Sequence, residues 1–103
     1  MDIAISKRDI PIRLTRERWF HITEGHPEIA GYYYEILEAI EDPEAIYKGN
    51  DDELIAIKEF ENGKYIAAVY RELDKNDGFL ITAFLTRRIK QLERREKIWE
   101  IPK

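Results

Sequence analysis

The chain has 103 residues, 44% of them hydrophobic and 37% charged, with no cysteine and a formal net charge of −4. The length predicts a single domain over residues 1–103, and the apolar content excludes a disordered chain. The lack of cysteine excludes disulfides and thiolate metal sites, and no apolar run approaches the roughly 18 residues of a membrane span.

Residues 2–6 and 10–14 alternate weakly between apolar and polar and predict two short extended pieces around a charged turn, with Pro11 disfavouring a helix. Thr15 is a good cap for a helix carrying Trp19 and Ile22 on one face and ending at Gly25. His26 then leads into Pro27 and Glu28, which favour the start of a second helix running to about Glu41. Its stripe is Ile29, Tyr33, Ile36, Leu37 and Ile40, and Asp42-Pro43 stops it. A short strand is expected at 45–48, then longer ones at 53–60, 64–73 and 79–86, with Asn62-Gly63 as a hairpin turn. Residues 87–95 predict a C-terminal helix, and 97–101 a final short strand or a tail on the core. The expected fold is therefore α+β: two N-terminal helices packed on an antiparallel sheet of about four strands, with a C-terminal helix.

Charge is unevenly distributed. Residues 35–61 carry ten acids against two bases, whereas 87–97 carry six bases against two acids and 7–18 five bases against two. Two basic ends around an acidic middle would form one basic patch if the ends meet in space.

Histidine titrates near neutrality and serves as general acid or base, so His21 and His26 at the helix junction are candidate catalytic groups. Their bland roles are a solvated helix residue and a cap. They are five positions apart, interrupted by Gly25, and so miss the spacing of a helical metal pair; no metal or cofactor is expected. On the third long strand Phe79, Ile81, Ala83 and Leu85 form one wholly apolar set, assigned to the core, leaving Leu80, Thr82, Phe84 and Thr86 on the more open face. Whether Tyr70 or Arg71 joins the threonines depends on register. An open face with Thr, Tyr, Phe and Arg beside the basic 87–97 segment suits a phosphodiester.

Several motifs in order carry a resemblance: Ile12-Arg13-Leu14-Thr15, Glu17-Arg18-Trp19, His21-Ile22, His26-Pro27-Glu28, Asp42-Pro43, Lys64-Tyr65, Val69-Tyr70-Arg71 and 79–87. Together they resemble the phage-type nucleases of the barnase–EndoU–colicin–RelE-like (BECR) superfamily, over about residues 10–100. The resemblance implies helices on a four-stranded antiparallel sheet and a metal-independent ribonuclease of toxin type, with RNA as substrate. It also implies a possible cognate antitoxin or immunity protein as partner. His21, His26, Arg71 and Thr86 would be catalytic, and Arg87, Arg88, Thr82 and Tyr70 would contact nucleic acid. Position 25, often basic in similar sequences, is Gly25 here, which removes one possible phosphate contact. The chemistry would be attack of the 2′-hydroxyl on the adjacent phosphate. The rival expectation is a non-catalytic module that holds nucleic acid or protein; a third is an immunity-like partner using the acidic 35–61 segment. The N-terminus lacks the apolar core of a signal peptide, so a soluble cytoplasmic protein without membrane association is expected.

Overall fold

Tight turns organise the middle of the chain. Asn62-Gly63, with Gly63 at φ +76°, closes one hairpin, and Lys75-Asn76 closes the next. Between and around them the computed structural model, which describes residues 1–102, places β3 (Ala45–Lys48), β4 (Leu54–Glu61), β5 (Lys64–Asp74) and β6 (Asp77–Thr86) as an antiparallel meander. The four-stranded sheet expected from sequence is a part of what forms. The N-terminal hairpin of β1 (Asp2–Ile5) and β2 (Pro11–Leu14) joins β6, and β7 (Lys97–Glu100) joins β3. The result is a seven-stranded mixed sheet of order β1-β2-β6-β5-β4-β3-β7, parallel at the β2–β6 joint.

The helices are short. Thr15 caps α1 (Arg16–Gly25), its hydroxyl accepting from the Arg18 backbone N–H at 3.1 Å. The second expected helix is divided: Pro27–Ile29 forms a single 3₁₀ turn, and α2 begins at Tyr33 and ends at Glu41. Ala30-Gly31 lies in the interruption, where glycine weakens helical continuity. The C-terminal helix is reduced to α3 (Ile89–Leu92). Two N-terminal helices on four strands is thus replaced by strand pairing at both chain ends, which short weakly alternating segments do not announce.

Register sorts the sheet residues onto two faces. Ala4, Ile12, Leu80, Tyr70, Leu54 and Ile46 point to one face, where Ile22 of α1 and Ile36, Ala39 and Ile40 of α2 complete the main core. On the other face a smaller core of Tyr47, Ile55, Ile57, Ala67 and Val69 is covered by Leu92 and Ile89 of α3. Over β1, β2 and β6 this second face is more open: Ile3 and Ile5 are exposed, and Thr82, Phe84 and Thr86 are half-buried.

A β-bulge corrects the expected core set of β6. Thr82 pairs with Val69 but Leu80 pairs with Tyr70, so Ile81 is an extra residue and the alternation changes phase there. Leu80 becomes fully buried in the main core, and Ile81 packs on the smaller one.

The β2–β6 joint depends on a glycine. A Cβ on Gly78 would stand 2.6 Å from the Arg71 carbonyl oxygen and 2.6 Å from Ile12 Cδ1. Backbone cannot yield as a side-chain tip does, so Gly78→Ala should destabilise the protein by about 1–3 kcal/mol, read as a lower denaturation midpoint. An unchanged midpoint would mean the joint is looser than this.

Candidate nucleic-acid interface

Strand β2 pairs with β6 only at Gly78 and Phe79, which leaves the margin of β6 beyond them without a strand neighbour. Helix α1 lies along that margin. Near its N-terminus Thr15 and Arg18 line a small cleft of about 120 Å³ with Arg13 and Phe79. At its other end His26 packs a tilted ring on Phe84, centroids 6.1 Å apart. Thr82 and Thr86 share the face of Phe84, two residues to either side of it.

His26 is a half-exposed cap residue whose Nδ1 lies 3.4 Å from Glu28 Oε2. A carboxylate at one ring nitrogen and an aromatic ring beneath orient the imidazole. By sequence Glu28 marks only a helix start, and its two-residue spacing from His26 is the one signal of this contact. His21 has a different setting. It sits on the exposed side of α1, its ring nitrogens 4.0 and 3.8 Å from Glu17 and Glu24.

Thr86 Oγ1 accepts from the Arg88 backbone N–H at 2.9 Å and so shapes the turn that presents Arg87 and Arg88. Its hydroxyl proton remains available to an acceptor. Among the described residues Arg18, Arg87 and Arg88 form no ion pair with a carboxylate, so their charge faces solvent. Arg13 is engaged: Nε and Nη2 donate to Asp77 at 2.7 and 3.1 Å. The hydrogen bond from Arg13 holds the Asp77 carboxyl below its usual value of 3.8. A depressed carboxyl stabilises the fold above the unfolded-state value, and that contribution is lost as pH falls through the folded-state value. Asp77→Asn should therefore flatten the stability curve below about pH 4, as followed by acid titration of the circular dichroism signal.

Two expected site residues lie elsewhere. Tyr70 is 1% exposed and belongs to the helix-covered core, so it is not on the open face with the threonines. Arg71 is on the open face but pairs with Phe79, whereas Thr86 pairs with Tyr65. Those pairs are six residues apart along β5, about 20 Å at the usual strand rise. Arg71 instead donates through Nη2 to the Asp51 carbonyl, and among the described residues its buried Nε has no hydrogen bond. His26 thus touches β6 at Phe84, on the face that carries Thr82 and Thr86, and Arg71 is not part of that group.

The acidic middle is largely engaged within the chain. Carboxylates of Glu41, Glu44, Glu53 and Glu59 accept from backbone N–H groups of Ile5, Glu59, Asp51 and Gly63. Glu38 and Asp42 pair with Lys58 at 3.2 and 3.0 Å. Among the described residues no group of three or more His, Asp or Glu could hold a metal ion, and no helix is long and apolar enough to cross a membrane.

Comparison with protein-family models, curated proteins and solved structures finds no match for this chain.

Proposed function

We propose that the chain is an RNA-directed domain that seats a single strand along the β6 margin and cleaves it through His26. The observation that carries this reading is the His26 imidazole, held between Phe84 and the Glu28 carboxylate on a margin with unpaired arginines near both ends. Phosphates would meet Arg18 at one end and Arg87 and Arg88 at the other, with bases against Phe79 and Phe84. His26 would take the 2′-hydroxyl proton as that oxygen attacks phosphorus. The bond from phosphorus to the 5′ oxygen then breaks, the leaving oxygen takes a proton from water, and His26 gives its proton back to solvent. Arginine and the Thr86 hydroxyl would stabilise the charge that builds on the phosphoryl oxygens. This reading extends the resemblance to BECR nucleases from residue order to activity, with Arg71 outside the reacting group.

A second reading, binding without cleavage, is favoured by the distance of Arg71 and by the single histidine at the margin. Incubation of total RNA with the protein in excess chelator separates the two, since fragments support cleavage and intact RNA supports binding alone. Both readings require the arginines. For single-stranded RNA the logarithm of affinity falls with the logarithm of salt by about 0.7 per neutralised phosphate, so Arg87→Ala with Arg88→Ala should reduce the slope by roughly 1.4. An unchanged slope would remove the interface from both.

A further inference from the structure

The β1–β2 loop crosses the helix-covered face and meets β7 from the far edge of the sheet. Lys7 Nζ lies 5.1 Å from the centre of the Trp99 ring. Ser6, 3% exposed, donates through Oγ to Glu72 Oε2 at 2.6 Å, and Arg8 Nε lies 3.1 Å from Glu72 Oε1. Beneath the loop is a cavity of about 250 Å³, walled by Ile46, Ile98 and Trp99 and bordered by Lys7 and Tyr70.

Tyr70 is 1% exposed, yet among the described residues its hydroxyl makes no hydrogen bond. A hydroxyl at the cavity wall with no partner in the chain is free to donate to a bound acceptor. Burial, assisted by Glu72, pushes its pKa well above the usual tyrosine value, so it stays protonated and can donate. Lys7 influences Asp42 electrostatically but forms no ion pair among the described residues. The Tyr70 hydroxyl and the exposed Lys7 ammonium are thus two donors with no acceptor among the described residues at the border of this cavity.

We infer that this cavity binds a small monoanionic ligand with a flat apolar body, its carboxylate taken by Lys7 and Tyr70 and its body held between Ile46, Ile98 and Trp99. Arg8 and Glu72 neutralise each other at 3.1 Å, leaving one net positive charge from Lys7. That matches a carboxylate better than a doubly charged phosphate. The volume of about 250 Å³ is below the roughly 300–1,000 Å³ of drug-sized sites and matches a ligand of about one ring. The site stands apart from the β6 margin and does not rest on the RNA reading.

The test titrates the ¹⁵N-labelled protein with sodium benzoate and, separately, with neutral benzamide. Saturable shifts of the Trp99 indole N–H and the Ser6–Arg8 amides with benzoate, and much weaker ones with benzamide, are expected. Tyr70→Phe, which keeps the ring, should weaken benzoate roughly two- to tenfold, and Lys7→Ala roughly tenfold or more. Absence of saturable shifts at millimolar benzoate overturns the inference, as does equal binding of benzamide or unchanged affinity in Tyr70→Phe. Should Lys7→Ala disturb the loop, seen as widespread spectral change, Tyr70→Phe alone decides.

Discussion

His26→Ala should lower RNA cleavage by roughly 100- to 10,000-fold, the range for loss of a positioned acid–base group, while His21→Ala leaves it near the wild-type rate. The two histidines are close in sequence but differ in setting. His26 is anchored by Phe84 and Glu28 beside the threonine-bearing strand, whereas His21 stands on the outer side of α1 between two exposed glutamates. The fold should survive, because the His26 side chain is 41% exposed and its ion-pair partner Glu28 is itself partly exposed. Glu28→Gln keeps the shape and removes the charge that orients the ring; by analogy with other supporting partners of histidine it should cost roughly 10- to 100-fold. Cleavage of a fluorescent RNA in chelator, with circular dichroism as the folding control, measures all three variants. Wild-type cleavage by His26→Ala would end the assignment, and equal losses in both histidine variants would point to a general effect on α1.

Leu80→Ala should destabilise the protein by about 2–5 kcal/mol, the cost of emptying a fully buried leucine site. Ile81→Ala, at a half-exposed position, should cost clearly less. The contrast follows from the bulge: a regular strand would place Ile81 with Ala83 and Leu85 in the main core and turn Leu80 outward. Denaturant midpoints of the two variants, compared at equal slopes, test it. A larger loss for Ile81→Ala would place the phase change elsewhere along β6.

Legibility in the sequence follows the range of the forces involved. The Thr15 cap and the Asn62-Gly63 turn are local events with strong residue preferences, and both were readable. So were the antiparallel strands around them. The bulge was not, because Leu80 and Ile81 are both apolar and either could face the core. The β2–β6 joint was not, because Ile12 and Gly78 carry no local mark of pairing across 66 positions. The same limit governs the candidate site. His26 and Thr86 were recognisable by residue type, but the separation of Arg71 from Thr86 is a matter of register. Tyr70 read as an accessible aromatic because strand alternation alone does not say which face the helices cover.

The loop that reaches from β1–β2 to Trp99 also bears on the order in which the chain assembles. The meander closes through two-residue turns at 62–63 and 75–76, at little entropic cost. The N-terminal hairpin forms locally and can meet α2 early, where Glu41 accepts from the Ile5 N–H, but its partners Gly78, Glu72 and Trp99 lie in later strands, so its place in the sheet waits for them. Such distant pairings slow folding. A nascent chain would carry this hairpin outside the sheet for most of its synthesis, with the Ile3 and Ile5 side chains exposed to other chains.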